Sequence, residues 1–313
     1  MKRIPVILDG DPGHDDAMAW MVAAASPMLD IKAVTTVAGN KDIENVTTNT
    51  LNVCSLFGIH APVGKGAHGP LVVEGITAGD FHGKTGLDGA DLPPSDRTLS
   101  QYSAVELMVR VLEESEEPVV IIGTGAQTNL ATLLLYRPDL KEKIEAFYIM
   151  GGGIETGNWT PAAEFNILVD PEAARIVFES GVPVVMSGLD VTEKALVYPE
   201  DVKRIRSIGT PMGDIVSGWL DFFGETHAAM GYEGWPLHDP CAVLSLIKPE
   251  IFIIKDAHLQ VETKGLHTRG QVLADFEDQE RFNGKAVLDL DREAFIDELI
   301  KAVEHFNGRE ELI

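Results

Sequence analysis

Near the start of the chain stands the stretch VILDGDPGHDD, residues 6–16. Its apolar beginning predicts a buried strand, which four aspartates follow around a Pro-Gly turn: Asp9, Asp11, Asp15 and Asp16. Carboxylates this close repel one another and raise each other's pKa unless a cation lies among them. Hard cations such as Ca2+ and Mg2+ prefer oxygen ligands of this kind. One Asp could simply cap a helix, but four in one turn favour a metal site.

The composition of the chain limits its class of partner. It has 313 residues, of which 45% are hydrophobic, enough for one large α/β domain or two small ones. Its 25 basic and 49 acidic residues give a net charge of −24. Polyanions would be repelled, so a nucleic acid polymer or an anionic membrane is a poor partner.

Cysteine use and apolar runs bear on the compartment. Cys54 and Cys241 are too few for a disulfide framework, and both lie in apolar, helix-like contexts where a buried thiol is expected. The first five residues lack the apolar stretch of a signal peptide, and no apolar run approaches the length of a membrane span. We therefore expect a reducing, cytoplasmic location and no membrane association.

Short apolar, β-branched runs alternate with longer helix-like segments up to Thr192. The predicted strands are 6–8, 31–37, 119–123, 146–150 and 182–187, and the predicted helices are 16–25, 45–57, 104–114, 129–136 and 171–180. This alternation predicts an α/β fold of the Rossmann-like kind, with an open, mostly parallel sheet and helices on both faces. Because no Ser-rich, Pro-rich or charged linker divides the chain, we expect a single domain over residues 1–313.

The pattern changes in the C-terminal half. Residues 199–208, 213–229 and 239–247 read as extra helices, 251–261 and 270–276 as a possible antiparallel strand pair, and 293–306 as an amphipathic closing helix. We expect this half to extend the same sheet and to help cover the site.

Polar clusters follow several of the predicted strands. In an open parallel sheet, ligands bind beyond the carboxyl ends of the strands. Asp9 and Asp11 follow the first strand, Asn40 the second, the turn 123–129 the third and the glycines 151–153 the fourth. The turn 123–129, GTGAQTN, lacks the Lys of a triphosphate loop and the third glycine of a dinucleotide fingerprint, so it could be a structural or a ligand-binding turn.

Three further segments carry candidate residues. The loop 158–166 contains Asn158, Glu164 and Asn166, which could bind sugar hydroxyls or belong to a solvated loop with a helix cap. His238 and Asp239 precede a predicted helix, where Asp239 alone reads as a cap and His238 as a structural residue. The long loop 64–94 carries His68 and His82, and His82 could face a substrate or be exposed.

The segment DGDPGHDD, residues 9–16, resembles the Asp-x-Asp-Pro-Gly-x-Asp-Asp signature of the nucleoside hydrolases, the inosine–uridine and pyrimidine-preferring ribonucleoside hydrolases. Further blocks resemble the family in the same order: VAGN at 37–40, MGGG at 150–153, AEFNI at 163–167, DPEAA at 170–174 and HDP at 238–240. The similarity spans roughly residues 6–306. It implies the nucleoside hydrolase fold, one Ca2+, ribonucleoside substrates with a purine or a pyrimidine base, and a homodimer or homotetramer.

The resemblance also implies a metal site. Asp11, Asp16 and Asp239 would bind Ca2+ through carboxylates, and Thr124 through its main-chain carbonyl. Asp11 would in addition activate a metal-bound water for attack on the ribose. Asp9 would not bind the metal itself but would help to hold its ligands in position.

The resemblance further implies a set of sugar-binding residues. Asp15, Asn40 and Asn166 would hold the 2′- and 3′-hydroxyls of the ribose. Asn158 and Glu164 would bind the 5′-hydroxyl.

Elementary chemistry agrees with these roles. Cleaving an N-ribosidic bond builds positive charge on the ribose, which nearby carboxylates stabilise. No residue is placed as a nucleophile, so we expect direct attack by water with inversion at the anomeric carbon. The leaving base needs a proton or a hydrogen bond, and His238 and His82 are the candidates for that task.

The sequence departs from the family at places that bear on specificity. Position 14 is His, where many members carry an aliphatic residue. The segment 222–237, expected to wall the base pocket, fits no subclass pattern; its His227, Tyr232 and Trp235 could contact the base or serve as core or lid packing. His82 with His238 favours the inosine–uridine or pyrimidine groups.

Two other functions compete with this one. An Asp-x-Asp phosphohydrolase would use Mg2+ and a nucleophilic Asp9, but its loop usually continues with Gly-Thr where this chain has Pro12 and Gly13. A nucleoside-binding protein without turnover would keep the sugar site only, and the intact Asp11 and Asp239 argue against it.

Overall fold

A computed structural model of the chain describes residues 2–79, 81–93 and 95–308. Asp80 and Pro94 of the long loop, and both ends of the expected domain 1–313, lie outside the described residues.

The core of the fold is a mostly parallel sheet. Its strands, with those of a separate two-stranded sheet, are β1 Ile4–Gly10, β2 Leu29–Thr36, β3 Val63–Gly64, β4 Val119–Gly123, β5 Ile144–Met150, β6 Val184–Ser187, β7 Leu196–Val197, β8 Trp235–Pro236, β9 Phe252–Val261, β10 Val272–Asp275 and β11 Gly284–Leu290. In the described part of the chain, nine of them form one sheet in the order β10-β9-β11-β6-β5-β4-β1-β2-β3, while β7 pairs with β8. The strands from β11 to β3 run parallel, and β9 is antiparallel to both β11 and β10.

Helices cover both faces of this sheet. They are α1 His14–Ala25, α2 Ile43–Leu56, α3 Ala104–Glu114, α4 Thr128–Tyr136, α5 Phe165–Val169, α6 Pro171–Phe178, α7 Leu189–Thr192, α8 Pro199–Arg206, α9 Pro211–Ala229, α10 Pro240–Ile247 and α11 Arg292–His305. Alternate residues of β1 point to opposite faces, as a strand requires. Val6 and Leu8 pack with α1, α9, α10 and α11, whereas Ile7 packs with α3, α4 and α6.

The predicted α/β architecture is confirmed, including the antiparallel pair, which is β9 with β10. The predicted strands and helices are found within a few residues of their expected ends. The strand β11 was not predicted, because its sequence GKAVLDL includes charged residues and contains only three consecutive apolar residues. The short elements β3, β7, β8, α5 and α7 were not predicted either, because two to five residues carry too little periodicity to be recognised.

Two further expectations can be compared with the structure. Cys54 and Cys241 are buried and unpaired, as expected. Within the described ranges, each helix is either too short or too polar to cross a lipid bilayer.

Candidate active site

A group of buried carboxylates lies where β1 ends and where α1 and α10 begin. Asp15 and Asp16 stand in the first turn of α1, and Asp239 directly precedes α10. Oxygens of these three carboxylates lie within 4.8 Å of one another, and all three side chains are buried. Asp11, at the end of β1, is also fully buried. The parallel sheet therefore gathers residues from distant parts of the sequence at one edge.

Hydrogen bonds from neutral groups hold this carboxylate group in place. The Thr124 hydroxyl donates to Asp16 Oδ1 at 2.6 Å, and the backbone N–H of Gly13 donates to Asp16 Oδ2 at 3.0 Å. The backbone N–H of Asn40 donates to Asp11 Oδ2 at 2.6 Å. The orientations of the Asp11 and Asp16 carboxylates are thus fixed before any ligand binds.

Two glycines make room for the Asp11 carboxylate. A Cβ at Gly39 would lie 2.1 Å from Asp11 Oδ2, and a Cβ at Gly125 would lie 2.4 Å from Asp11 Oδ1. Both distances are far inside van der Waals contact, so only glycine allows the backbone to approach this closely. The glycines that follow the second and third predicted strands therefore serve the site itself.

Burial and mutual repulsion oppose ionisation of the carboxylate group. Burial, reinforced by the charge of Asp16, raises the pKa of Asp15 to about 8. Burial and the neighbouring carboxylates also raise the pKa of Asp11 and that of Asp239 well above the usual range. A bound cation would reverse these shifts, because it favours the charged form of each ligand.

Two oxygens of this group have nothing to bind. Asp11 Oδ1 and Asp15 Oδ1 are buried, and neither has a hydrogen-bond partner among the described residues. A buried unpaired carboxylate oxygen is costly, so each one indicates a missing ligand. Since the donors are all oxygens, the group fits a hard divalent cation.

Of the four predicted metal ligands, Asp16 and Asp239 lie with Asp15 in a group whose carboxylate oxygens are within 4.8 Å of one another, and Asp11 is not in this group. Asp11 adjoins it, since its backbone N–H donates to Asp16 Oδ1 at 3.3 Å. The main-chain carbonyl of Thr124 accepts a hydrogen bond from Asn166 Nδ2 at 2.9 Å and retains a second lone pair.

A cavity of about 230 Å³ opens above the carboxylate group. Its floor is polar and its upper wall is aromatic and histidine-rich. The lining residues are Asp15, Asn40, Ala78, Phe81, His82, Thr124, Met150, Asn158, Trp159, Glu164, Phe165, Asn166, Glu193, His227, Met230, Tyr232, Pro236, His238 and Asp239. All five residues predicted to bind sugar are therefore in its wall.

Two of the predicted sugar-binding amides have fixed orientations. Asn40 Nδ2 donates to the Asp11 carbonyl at 3.1 Å and to Asp16 Oδ2 at 3.2 Å. Asn166 Nδ2 donates to the carbonyls of Thr124 and Met150 at 2.9 and 3.2 Å. With both nitrogens engaged, the amide oxygens are the groups left to accept hydrogen bonds from hydroxyls.

The loop 158–166 combines the two roles considered for it. Glu164 caps α5, since its carboxylate accepts hydrogen bonds from the backbone N–H groups of Asn166 and Ile167 at 2.8 and 3.1 Å. Burial raises the pKa of Glu164 to about 7. Asn158 Oδ1 accepts from the Phe165 N–H at 3.0 Å, which leaves its amide nitrogen as a donor. Both side chains also line the cavity.

Both candidate histidines line the cavity, where His82 is buried and His238 is partly buried. His82 is 4% exposed, so the alternative of an exposed loop histidine is wrong. His238 Nδ1 lies 2.8 Å from Thr192 Oγ1. Burial lowers the pKa of His238 to about 3 and that of His82 well below its usual value, so both rings are neutral without ligand. Asp239 makes no capping hydrogen bond to α10, so the cap expected from sequence is absent.

The segment 222–237 divides between the cavity and the core. His227 and Tyr232 line the cavity, whereas Trp235 packs in the hydrophobic core. A Cβ at Gly224 would lie 2.8 Å from the Trp235 ring, so this glycine admits the indole. Of the three candidates for base contact, only His227 and Tyr232 line the cavity and can contact a base there.

Several residues of the cavity wall were not predicted from the sequence. Phe81 precedes His82, and Met230 lies just beyond α9. Glu193 follows α7, which itself follows β6. Since polar residues beyond a parallel strand mark the ligand edge, the same rule that selected Asn40 could have selected Glu193.

Comparison with known proteins agrees with this arrangement. The sequence model of the family described as inosine-uridine preferring nucleoside hydrolase matches residues 6–297. The chain belongs to this family. It is 48% identical over 311 residues to the pyrimidine-specific ribonucleoside hydrolase RihA of Enterobacter sp. (strain 638), covering 98% of this chain and 99% of the relative. It is 49% identical over 299 residues to the RihA of Escherichia coli O1:K1 / APEC, covering 94% and 96%.

A solved nucleoside hydrolase has the same architecture. The purine-preferring ribonucleoside hydrolase from Gardnerella vaginalis superposes with a TM-score of 0.90 at 29% identity, covering 96% of this chain and 98% of that one. This member of the nucleoside hydrolase family is thus a glycosidase that hydrolyses N-ribosidic bonds.

Membership of the nucleoside hydrolases removes the phosphohydrolase alternative, and the geometry gives the reason. Asp9 Oδ1 accepts hydrogen bonds from the Thr35 hydroxyl at 2.6 Å and from Asn129 Nδ2 at 2.8 Å. It lies behind the cavity wall, where it could not attack a substrate as a nucleophile.

Proposed function

We propose that this nucleoside hydrolase is Ca2+-dependent and that pyrimidine ribonucleosides are its preferred substrates. The observation that carries the proposal is the pair of unpartnered oxygens, Asp11 Oδ1 and Asp15 Oδ1, buried beneath a cavity lined by sugar-binding amides. A site built for a neutral ligand alone would not need so many converging carboxylates.

The donor set supports Ca2+ as the metal. The carboxylates of Asp11, Asp16 and Asp239 and the Thr124 carbonyl would hold the ion, and Asp15 stands close enough to join them. No sulfur or imidazole donor belongs to the set, as suits a hard cation. When bound, Ca2+ would supply positive charge that lowers the pKa of water and attracts hydroxyl oxygens.

Asp11 is the proposed general base. Its Oδ2 is held by the Asn40 N–H, and its Oδ1 is unpartnered, so Oδ1 would accept the proton of the attacking water. The water oxygen would form a bond to the anomeric carbon while the bond to the base breaks, with inversion. Asp9, behind Asp11, would support this carboxylate through its own fixed hydrogen bonds.

Five residues would hold the ribose and stabilise its developing positive charge. Asp15, Asn40 and Asn166 would accept hydrogen bonds from the 2′- and 3′-hydroxyls, for which their free oxygens are suited. Asn158 and Glu164, which also line the cavity, would bind the 5′-hydroxyl. The Glu164 carboxylate is fixed before the reaction by backbone N–H groups, as electrostatic stabilisation of a transition state requires.

The upper wall would bind the base. His82 and His238 would assist the departing base with a hydrogen bond or a proton, and His227 and Tyr232 would contact its ring. A preference for pyrimidines is supported by relatives 48% and 49% identical that are named pyrimidine-specific, whereas the purine-preferring neighbour is only 29% identical.

Three further properties belong to the proposal. We propose one catalytic domain over residues 1–313, because the family match and the sheet both extend through most of the chain. The unpaired thiols of Cys54 and Cys241 suit the reducing cytoplasm. The family resemblance supports a homodimer or homotetramer.

The test is a panel of cytidine, uridine, inosine, adenosine and guanosine with Ca2+ present, scored as release of ribose and free base. We expect the two pyrimidine ribonucleosides to have the highest kcat/KM, and Asp11→Asn to lower it by about 100-fold or more, as loss of a general base does. Faster hydrolysis of purine ribonucleosides would contradict the preference, and retention at the anomeric carbon would contradict direct attack by water.

A further inference from the structure

We propose that His14 is a positioning residue that holds the His82 imidazole with its Nε2 atom turned to the departing base. The inference rests on the proposed function, because it concerns the help that His82 gives to that base. The roles assigned above do not require a histidine at position 14.

His14 contacts His82 from behind the cavity wall. It is fully buried at the start of α1, and it is not among the residues that line the cavity, whereas His82 is. The Nδ1 atoms of the two rings lie 3.2 Å apart. The second nitrogen of His14, Nε2, lies 2.7 Å from the main-chain oxygen of Asp88.

Packing gives the His82 ring a single orientation. Its centroid lies 5.5 Å from that of His14 and 5.6 Å from that of Phe223, with interplanar angles of 24° and 17°. The absence of a side chain at Gly13 makes room for the ring, because a Cβ there would lie 2.7 Å from His82 Nδ1. With Nδ1 turned to His14, Nε2 is the nitrogen that remains for a ligand.

The hydrogen bonds determine which nitrogen carries the hydrogen. A carbonyl can only accept, so His14 Nε2 must donate to Asp88, and Nδ1 of the neutral His14 ring must accept. The His14 ring is buried and packs against the rings of His82, Phe222 and Phe223, surroundings that disfavour its charged form. His82 Nδ1 is therefore the donor to His14, and His82 Nε2 is bare. The backbone N–H of His14 also lies near His82 Nδ1, but its distance of 3.4 Å is longer than the 3.2 Å between the two ring nitrogens, so we assign the hydrogen on His82 Nδ1 to the contact between the rings.

This arrangement prepares His82 to pass a proton to the base. When His82 takes a proton from solvent on Nε2, its Nδ1–H still donates to His14, which stabilises the charged ring. As the bond between the anomeric carbon and the base breaks, the base keeps the electron pair and accepts the Nε2 proton. His82 returns to the neutral form with its hydrogen on Nδ1. An orienting partner that fixes a tautomer plays the same part in other enzymes.

The first test compares two substrates in His14→Phe, which keeps the ring stacking and removes both nitrogens. For uridine we expect kcat to fall about 10- to 100-fold, within the range of lost acid catalysis. For 4-nitrophenyl riboside, whose leaving group departs without a proton, we expect a change below about twofold. His14→Asn, with an amide oxygen near the former Nδ1, should recover part of the uridine activity. An equal loss for both substrates would overturn the proposal.

A matched control separates positioning of His82 from anchoring of its loop. Asn49 Nδ2 donates to the carbonyls of Pro12 and Thr85 at 3.0 and 2.8 Å, so it ties the same loop to the same turn through backbone atoms rather than through His82. We expect Asn49→Ala to show no selective loss with uridine. If it reproduces the selective loss of His14→Phe, loop anchoring explains the effect and the proposal is wrong.

A measurement without substrate tests the tautomer directly. In 15N-labelled protein, the His82 ring, assigned by its disappearance in His82→Gln, should carry its hydrogen on Nδ1, and His14→Phe should abolish that preference. A wild-type ring with its hydrogen on Nε2 would overturn the role of His14 even if uridine is hydrolysed. Absence of any hydrolysis would instead contradict the proposed function.

Discussion

Replacing Asp239 by Asn should change stability in opposite directions with and without metal. In chelator the carboxylates of Asp15, Asp16 and Asp239 repel one another, since their oxygens lie within 4.8 Å. One fully ionised pair at that distance costs about 3 kcal/mol at an effective dielectric constant of 20. The amide that the substitution introduces removes one charge and can still donate a hydrogen bond to Asp16, as a protonated Asp239 does.

Proton uptake limits the size of this gain. The folded protein relieves part of the repulsion by binding protons, since the pKa of Asp15 is raised from 3.8 to about 8. We therefore expect Asp239→Asn to raise the free energy of unfolding by about 1–3 kcal/mol in chelator at pH 7. With Ca2+ at about a thousand times its dissociation constant, the free energy of unfolding of the wild type should rise by about 4 kcal/mol and that of the variant by much less. The wild type should then be the more stable of the two proteins.

The pH dependence in chelator follows from the same shift. A carboxyl protonated in the folded state and ionised in the unfolded state makes folding take up a proton. Its stabilising contribution is complete below pH 3.8 and is lost as the pH rises through about 8. Chelated wild type should therefore lose stability from pH 5 to pH 8, and Asp239→Asn should lose less.

The assay is urea unfolding followed by the fluorescence of the buried Trp20 and Trp219. The control is Asp256→Asn, an exposed carboxylate 3.2 Å from Lys285, which should change stability by less than about 1 kcal/mol in both conditions. A variant that is less stable than wild type in chelator, or equally stabilised by Ca2+, would refute the reasoning that repulsion in this group is relieved by a metal.

Three further predictions concern the site and its scaffold. The value of kcat/KM for 2′-deoxyuridine should be at least about 100-fold below that for uridine, because buried acceptors such as Asp15 Oδ1 would stay unpaired; equal values would contradict this. Gly125→Ala, whose Cβ would lie 2.4 Å from Asp11 Oδ1, should lower uridine hydrolysis about 100-fold, while Gly69→Ala, in open space, should not. Asp42→Ala should cost about 1 kcal/mol in urea unfolding by removing the cap of α2, with kcat unaltered; unchanged stability would count against the cap.

Periodicity predicted most of the fold. The strands β1, β4 and β5 are buried on both faces, so their sequences read as continuous apolar runs that can be recognised without a structure. The strand β11 could not be predicted, because it takes its place between β6 and β9 through pairing with distant residues rather than through its own pattern. Long-range pairing of this kind is not visible in a local window.

The site residues that directly follow predicted parallel strands could be identified from the sequence. The aspartates around the first turn and Asn40 were found because they lie beyond parallel strands. The contact of His14 with His82 was not, since 68 residues separate them and a loop brings them together. Whether Trp235 faces the ligand or the core was also left open, because its position depends on the space that Gly224 provides.

If the buried aspartates hold the catalytic metal, hydrolysis of a ribonucleoside must depend on that metal. The most direct measurement is release of ribose and uracil from uridine by protein freed of metal with a chelator, followed by titration with Ca2+. We expect no release without metal and full recovery near one Ca2+ per chain. Full activity in the chelated protein, or no recovery with Ca2+ in protein that remains folded, would contradict it.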